Sequence, residues 1–313
     1  MFKIAFATDI HLRYTAPISR LDDDSYHINI INKIKYIIDF ANSNCDMIIF
    51  GGDLFDKPDI PYSLLINLIK ELKKSKKPIY SIVGNHDIYG YNNDSVNKSA
   101  IGILFENNLI KKLDEIVINN IRIKGIHCFS DLILDDIKED LINIAVVHKP
   151  ISIHNIPNTI KLSDVEKNNL YNIVLCGDIH TPFEHISHNA IWLNPGSLSR
   201  TSIIDKDRDV KFLYISIDNK LIEYKEIIVP YKKDVFSVNY DINNDSKDFV
   251  TSYANIIYEI KDKEKSVVDY LRNFFKINNI DNEIVEIINY YIQKAEGIDE
   301  KSLNKKDDEQ EGE

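Results

Sequence analysis

The sequence predicts an α/β fold built on a parallel-type sheet. Three short apolar runs are separated by two stretches whose apolar residues recur at the three- and four-residue spacing of a helix. In chain order these are run 2–8, helical stretch 24–41, run 47–50, the helical stretch after Pro61, and run 78–83. Strands that alternate with helices in this way typically pair in parallel and use the helices as crossovers.

The rest of the chain predicts further strands and then a change of character. Runs 116–118 and 121–126 flank Asn119-Asn120, a suitable hairpin turn, and runs 141–147 and 172–176 are typical of buried strands. Residues 210–229 alternate around Asp218-Asn219-Lys220, which predicts an antiparallel hairpin. A strand at 235–240 and amphipathic helices at about 247–260, 264–276 and 281–295 follow, and we expect the charged tail 297–313 to be disordered. The predicted regions are therefore 1–230, 231–296 and 297–313.

Composition and charge narrow the class of protein. Hydrophobic residues make up 44% of the 313, enough for a sizeable core, and no run approaches the roughly 18 apolar residues of a membrane span. Cys45, Cys128 and Cys176 are far apart, which argues against disulfides and for buried thiols in a reducing compartment. No secretory signal is evident, so we expect a cytoplasmic protein. The net charge of −11 disfavours nucleic-acid binding without excluding it; a basic surface would have to be confined to one face.

Five short segments carry metal-ligand residue types, each at the end of an apolar run. They are Asp9-Ile10-His11, Gly52-Asp53-Leu54-Phe55-Asp56, Gly84-Asn85-His86-Asp87, Val147-His148 and Gly177-Asp178-Ile179-His180. Alternate residues of an extended strand end point the same way, so Asp9 and His11 can reach one ion. Most of these segments, taken singly, also fit a turn, a cap or a surface polar pair. Together they predict a site for two divalent cations, an arrangement that cleaves phosphate esters.

The five segments resemble those of the calcineurin-like metallophosphoesterases, over roughly residues 1–230. The resemblance implies a four-layer αββα sandwich that holds two metal ions, most simply Mn²⁺, with Fe²⁺, Zn²⁺ or Mg²⁺ as alternatives. It implies a first metal bound by Asp9, His11, Asp53 and His180, and a second bound by Asp53, Asn85, His148 and Asp178. It also implies a catalytic dyad in which Asp56 orients His86.

One position departs from the family pattern. The last motif of the family is usually Gly-His-x-His, and Asp178 here replaces the first His. A carboxylate is a harder ligand than imidazole. We expect the second metal to be retained, with its preference moved toward Mn²⁺ or Mg²⁺; its loss is the alternative.

Further residues resemble the SbcD-type nuclease subunit of double-strand-break repair complexes, especially short viral and bacterial forms. They are Asp9-Ile10-His11-Leu12 with Arg20 and Asp22, segments 52–58 and 83–87, and Asn194-Pro195-Gly196-Ser197-Leu198-Ser199-Arg200. The resemblance implies a Mn-dependent DNA exonuclease or endonuclease in DNA end processing, recombination or repair. It implies a homodimer with an SbcC-type coiled-coil ATPase, in a bacterial or virus-infected bacterial cell. Residues 231–296 resemble, loosely, the capping and ATPase-docking helices.

Seven residues near the motifs are candidate DNA contacts, with an ordinary solvated rim as the alternative for each. Arg and Lys could hold flanking phosphates, and Tyr could stack on bases. They are Arg13, Tyr14, Arg20, Tyr89, Tyr91, Lys149 and Arg200.

Three functions remain open from the sequence. The first is the DNA nuclease, and the second is a small-molecule phosphodiesterase or phosphomonoesterase with the same core. The third is a non-catalytic scaffold, which the intact set of His86, Asp56 and seven ligands disfavours. Protein phosphatases carry Arg at the positions of Lys57 and Ile88, so that activity is also disfavoured.

Overall fold

The computed structural model describes residues 1–236 apart from 18–19, 21–24, 155, 157, 188–189, 203–204, 220 and 234. The described residues belong to one compact unit, which extends over Met1–Asn239. Nearly all of the predicted capping region 231–296 and all of the tail 297–313 lie outside the described residues. The region boundaries at 230 and 296 therefore stay predictions.

The described residues form four α-helices and fourteen strands. The helices are α1 (Tyr26–Asn44), α2 (Tyr62–Leu72), α3 (Ala100–Glu106) and α4 (Leu162–Val165). The strands are β1 (Phe2–Ala7), β2 (Met47–Phe50), β3 (Ile79–Ser81), β4 (Lys111–Lys112), β5 (Glu115–Ile118), β6 (Ile121–Ile126), β7 (Ile142–His148), β8 (Ile151–Ser152), β9 (Ile160–Lys161), β10 (Ile173–Gly177), β11 (Phe183–Ile186), β12 (Ile191–Asn194), β13 (Lys211–Asp218) and β14 (Leu221–Ile228).

Twelve of the strands form two six-stranded sheets. The first has the order β14-β13-β1-β2-β3-β4, and the second has the order β11-β12-β10-β7-β6-β5. Strands β1 to β4 pair in parallel, as do β12, β10, β7 and β6, and the remaining pairs are antiparallel. Each sheet thus has a parallel centre, as the sequence predicted for the first. The carboxyl ends of several strands consequently lie together at one edge of each sheet.

The alternation of side chains along the strands builds the layers. In β1, Ile4 and Phe6 face the second sheet and share a buried cluster with Ile144 of β7. Ala5 and Ala7 point to the opposite face, into the cluster that α1, α2 and α3 cover. Because successive residues of a strand face opposite sides, both faces of this sheet are buried.

The outer face of the second sheet carries a thinner layer. Trp192 and Tyr171 are fully buried there, under Leu162 of α4 and Leu134 of an irregular segment. In the described part of the chain α4 has a single turn, so most of this fourth layer is non-helical chain. The predicted α/β sandwich of two sheets between outer layers is confirmed.

Several local predictions are also confirmed. Both predicted hairpins form, and Asn119 and Asn219 take left-handed conformations in their turns, with φ of 55° and 53°. The cysteines Cys45, Cys128 and Cys176 are free and buried, as expected for small core side chains. In the described ranges, no helix combines the length and apolar character that a bilayer crossing requires.

Candidate metal centre

The candidate site lies where the carboxyl ends of the two parallel sheet centres meet. Asp9 and His11 follow β1, Asp53 follows β2, Asn85 and His86 follow β3, His148 ends β7, and Asp178 and His180 follow β10. The sandwich brings these strand ends together because both sheets present their carboxyl edges on the same side. Ligand residues from the two sheets, between positions 9 and 180 of the chain, thereby lie close together.

Four of the predicted ligands have a left-handed backbone. The φ angles are 51° at Asp9, 46° at His11, 48° at Asp53 and 83° at Asp178. The expectation of an extended strand end at Asp9-Ile10-His11 is therefore wrong, although both side chains do reach the site. A left-handed residue other than glycine costs about 1–2 kcal/mol. Such conformations persist where the surrounding structure enforces them, and they concentrate at functional sites.

Hydrogen bonds from three segments hold Asp9 in this conformation. Thr8 Oγ1 donates to Asp9 Oδ2 at 2.8 Å, and the Asp178 amide donates to both carboxylate oxygens at 3.1 Å. Ser197 Oγ donates to the Asp9 carbonyl at 2.7 Å. Thr8 was not singled out by the sequence, although it precedes the first motif directly. These bonds orient the Asp9 carboxylate within the site.

One group of donors gathers around two histidines. The Nε2 atoms of His11 and His180 lie 2.9 Å apart, and each lies 3.9 Å from Asp9 Oδ1. Asp53 Oδ2 is 3.7 Å from His11 Nε2. These four residues are the predicted ligands of the first metal, and Asp9, His11 and His180 form a cluster able to hold an ion.

A second group meets at the other side of Asp53. His148 Nε2 lies 3.3 Å from Asp53 Oδ2 and 3.2 Å from Asn85 Oδ1. The opposite ring nitrogen of His148 donates to the Gly51 carbonyl at 2.7 Å, which fixes the tautomer and turns Nε2 toward the site. Asp53 Oδ2 therefore lies within 4 Å of a histidine from each group. This is the position that a bridging carboxylate occupies.

Asp178 takes part in a different way from the other predicted ligands. Its backbone amide holds Asp9, as described above, and its half-buried carboxylate is not in any of the Asp/His clusters found among the described residues. The structure thus places Asp178 beside the site without bringing its carboxylate into a cluster.

Burial and neighbouring charges set the protonation of the site. Burial works against a charged His148, but the Asp53 carboxylate outweighs it and raises the pKa of His148 to about 10. Burial likewise opposes ionisation of Asp53, yet His148 and then His11 hold the Asp53 pKa well below its usual range. Burial lowers the pKa of His11 to about 3, against the Asp53 charge and with His180 and His86 reinforcing it. His148 and Asp53 thus form an ion pair, while His11 is neutral.

In the predicted dyad of His86 and Asp56, the backbone of Asp56 contacts the His86 ring in place of its carboxylate. His86 Nδ1 lies 2.9 Å from the backbone carbonyl oxygen of Asp56, and the Asp56 carboxylate pairs with Arg13 Nη1 at 3.3 Å. The main chain of Asp56, rather than its side chain, therefore orients the ring. His86 is exposed, and its ring packs edge-on against His11 with 4.8 Å between centroids. It also forms a cluster with His11 and Asp53, which places it at the same site.

Two glycines and a buried aspartate pack the strand ends around Asp53. A Cβ at Gly84 would lie 2.0 Å from Asp53 Oδ1, and one at Gly52, whose φ is +95°, would lie 2.4 Å from His148 Nδ1. Asp87 is fully buried and accepts the amides of Phe55 at 3.0 Å and Gly84 at 2.9 Å. The sequence assigned no role to Asp87. Its position at the end of the third motif was the available signal.

The candidate DNA contacts differ in their surroundings. Arg200 is 1% exposed, and it donates to the carbonyls of Lys206 at 2.7 Å and Lys233 at 3.1 Å. The expectation that Arg200 contacts DNA is therefore wrong, because its guanidinium is already satisfied inside the protein. Arg20 is half-buried and donates to the Arg200 carbonyl at 2.8 Å. Lys149 is also half-buried and donates to the Cys128 carbonyl at 2.6 Å.

The remaining four candidates lie at the surface. Arg13 keeps about a third of its side chain exposed while it pairs with Asp56. Tyr14 is 48% exposed and stacks on His27, with 4.5 Å between the ring centroids. Tyr89 donates its hydroxyl to Asp59. Tyr91 is 64% exposed. All four keep part of their side chains exposed.

The donor set fits a pair of hard to borderline divalent cations. The clusters combine imidazole nitrogens with carboxylate oxygens, the Asn85 amide oxygen lies beside them, and no thiolate enters the clusters found in the described ranges. Such mixed N/O donors suit Mn, Fe or Zn, and a carboxylate with two oxygens can serve two ions.

Residues 2–182 match the family model described as calcineurin-like phosphoesterase. A stretch of 129 residues is 33% identical to the DNA double-strand break repair protein Mre11 of Sulfolobus acidocaldarius and covers 38% of this chain. The match spans 32% of that curated relative, about a third of its length. A dimetal phosphatase from Danio rerio shares the fold, with a TM-score of 0.51 and 11% identity over 75% of this chain and 98% of that one.

Proposed function

Since the chain belongs to the calcineurin-like phosphoesterase family, we propose that it is a metal-dependent phosphodiesterase that cleaves DNA. The observation that carries phosphoester cleavage is the position of Asp53 Oδ2, 3.7 Å from His11 Nε2 and 3.3 Å from His148 Nε2. A carboxylate between two groups of metal ligands is what a two-cation site requires. Two cations held by these residues would stabilise the attacking and leaving oxygens of a phosphate ester.

The DNA substrate rests on sequence resemblance. The curated relative described as a DNA double-strand break repair protein is 33% identical over 129 residues, a stretch that covers 38% of this chain. Partly exposed Arg13, which pairs with Asp56, and exposed Tyr14 and Tyr91 would supply the two contacts that a polynucleotide needs, a cation for phosphate and rings for bases. We therefore favour DNA over a small phosphodiester as the substrate.

Ligands from both groups would hold the cations. Asp9, His11, Asp53 and His180 would bind one, and Asp53, Asn85, His148 and Asp178 would bind the other. Cations bound there would polarise a phosphoryl oxygen and lower the pKa of a water molecule. We propose Mn²⁺ as the working metal, because Asp178 and Asn85 add oxygen donors to the second position.

The side chains of the protein would then orient the ester and handle the proton. The Asp56 carbonyl accepts the Nδ1 proton of His86, so Nε2 of the ring is turned outward. A protonated His86 can keep the Nδ1 bond to Asp56 while its Nε2–H donates to the leaving oxygen. Arg13, held by the Asp56 carboxylate, would bind a flanking phosphate of the substrate strand.

We also propose that the protein works in DNA end processing with an SbcC-type coiled-coil ATPase and as a homodimer. Both proposals follow from the sequence resemblance alone. Co-purification with a large ATPase from the natural host would support the first. Analytical ultracentrifugation of the purified chain would decide the second, since a monomer at all concentrations contradicts it.

The decisive experiment is degradation of end-labelled linear duplex DNA in Mn²⁺, with the wild type beside His86→Gln. We expect degradation by the wild type, its loss in the variant, and its loss in chelator. Cleavage of a chromogenic phosphodiester without any cleavage of DNA, alone or with the ATPase, would contradict the DNA substrate and favour a small-molecule enzyme. Absence of both activities with bound Mn²⁺ would contradict the enzyme and favour a scaffold.

A further inference from the structure

Nine residues other than glycine have a left-handed backbone in the described part of the chain. Four are the proposed ligands Asp9, His11, Asp53 and Asp178, and four are asparagines, namely Asn108, Asn119, Asn158 and Asn219. Asparagine tolerates this conformation because its short amide bonds to the local backbone. The ninth is Tyr91, with φ of 56°. A bulky side chain at positive φ is a genuine outlier.

Among the described residues, no side-chain hydrogen bond of Tyr91 stabilises this conformation. Its side chain is 64% exposed, and no hydrogen bond from its hydroxyl is found to any residue that the structure describes. Gly90, directly before it, also has positive φ, at 58°, so the two residues form a sharp turn four and five residues after His86. Strain that no folding contact offsets is typical of positions selected for binding or catalysis.

Tyr91 differs from the other two tyrosines at the rim. Tyr89 is engaged by Asp59 through its hydroxyl, and Tyr14 is engaged by His27 through its ring. The Tyr91 ring has neither kind of partner among the described residues. Tyr91 lies in the loop that directly follows the His86 segment, five residues after His86. Burial and then the Asp178 and Asp53 carboxylates also raise the pKa of Tyr91, consistent with a position beside the site.

We propose that Tyr91 contacts the substrate directly, with its ring stacked on the nucleobase that adjoins the scissile phosphate. This proposal rests on the proposed function, because only a nucleotide substrate presents a base there. Every base has an aromatic face, so one ring can serve many sequences. The Tyr91 side chain at this left-handed turn is 64% exposed, and a base stacked on its ring would orient the phosphodiester for in-line attack.

The test uses substrates with one scissile bond and one base. Thymidine 5′- and 3′-(p-nitrophenyl phosphate) are compared with the matching deoxyribose esters that lack the base. The proteins are the wild type, Tyr91→Phe and Tyr91→Asn, with Mn²⁺. Phenylalanine keeps the ring and the strain, whereas asparagine removes both and is the residue that the chain itself uses at positive φ. Tyr62→Ala, an 80% exposed tyrosine on α2, controls for the loss of a surface ring.

We expect Tyr91→Asn to lower kcat/KM for one of the thymidine esters by roughly 5- to 150-fold, the range for one base stacked on one ring. On the base-free ester, the ratio of kcat/KM between wild type and Tyr91→Asn should approach one. Tyr91→Phe should keep most of the preference for the base. The thermal midpoint of Tyr91→Asn should rise by roughly 2–8 °C because the left-handed strain is relieved.

The outcomes separate this inference from the proposed function. Equal losses in Tyr91→Asn on the esters with and without the base, or no loss on either, would overturn the stacking role while leaving the nuclease intact. A wild type that degrades neither linear DNA nor any ester would overturn both. A rise in thermal midpoint without any loss of activity would show that the strain has no functional purpose.

Discussion

Nε2 of His148 lies 3.3 Å from Oδ2 of Asp53, and both side chains are almost completely buried. The pair is ionic, since Asp53 raises the pKa of His148 to about 10 and His148 helps to hold the pKa of Asp53 well below its usual range. In the metal-free protein the proton on His148 Nε2 thus occupies the place of a cation. A proton on His148 offsets part of the negative charge of the Asp53, Asp9 and Asp178 carboxylates, which lie near it.

Metal binding should release a proton from His148. A cation needs the neutral ring, and at pH 7 nearly every metal-free molecule holds the proton because the pKa lies near 10. His11 contributes none, since its pKa lies near 3. Apparent affinity should therefore rise by roughly tenfold per pH unit between about pH 6 and pH 8. Calorimetric titration with Mn²⁺ in two buffers of different ionisation enthalpy measures the release, and His148→Asn should abolish it. Identical enthalpies in both buffers would contradict the ion pair.

Gly84→Ala should disrupt the site by steric conflict alone. Gly84 has an ordinary φ of −91°, but a Cβ there would lie 2.0 Å from Asp53 Oδ1 and 2.2 Å from the Asp53 nitrogen. We expect a loss of about 1–3 kcal/mol in unfolding free energy and a large loss of Mn²⁺ affinity. Gly90→Ala is the matched control, since its Cβ would meet nothing within 4 Å and only its φ of +58° opposes it. Equal Mn²⁺ affinity in the two variants would refute the steric argument.

The strand ends and the ligand types could be predicted because both leave local marks in the sequence. Apolar runs ending in Asp, Asn, Gly or His indicate where β1, β2, β3, β7 and β10 stop. The left-handed backbone at Asp9 and His11 could not be predicted, since residues far along the chain hold it: Asp178 and Ser197 donate to Asp9, and His11 donates its amide to the Asp53 carbonyl. The alternation rule for extended strands gave the right side-chain direction there for the wrong reason.

The side-chain contacts of two predicted residues, His86 and Arg200, also could not be predicted from the sequence. The sequence predicted that the Asp56 carboxylate would bind His86. In the structure the backbone carbonyl of Asp56 accepts from His86, and the Asp56 carboxylate pairs with Arg13. The burial of Arg200 depends on the carbonyls of Lys206 and Lys233, and short motifs carry no information about either contact. Sequence patterns thus identify which residues gather, and packing decides which atoms they use.

Asp178 should determine whether a second cation is held. We expect the wild type to bind about two Mn²⁺ per chain and Asp178→Ala to bind about one. The variant keeps the backbone amide that orients Asp9, so the first position should be unaffected. Calorimetric stoichiometry measures this, and Asp164→Ala, which alters an exposed carboxylate on α4, is the control. A single Mn²⁺ in the wild type would mean that the Asp178 carboxylate does not bind a metal.

Arg13 and Arg200 should have opposite effects on stability and on DNA binding. Arg200→Met removes the hydrogen bonds that the buried guanidinium donates to the carbonyls of Lys206 and Lys233 and should cost about 1–3 kcal/mol of unfolding free energy, with DNA affinity little changed. Arg13→Gln removes a partly exposed ion pair worth about 0–1 kcal/mol, so stability should hold while DNA binding weakens. Urea unfolding measures the first effect. For the second, the salt dependence of duplex affinity in Arg13→Gln should lose about 0.9 of slope, the value of one phosphate contact. Weakened DNA binding in a fully stable Arg200→Met would instead return Arg200 to the DNA-binding surface.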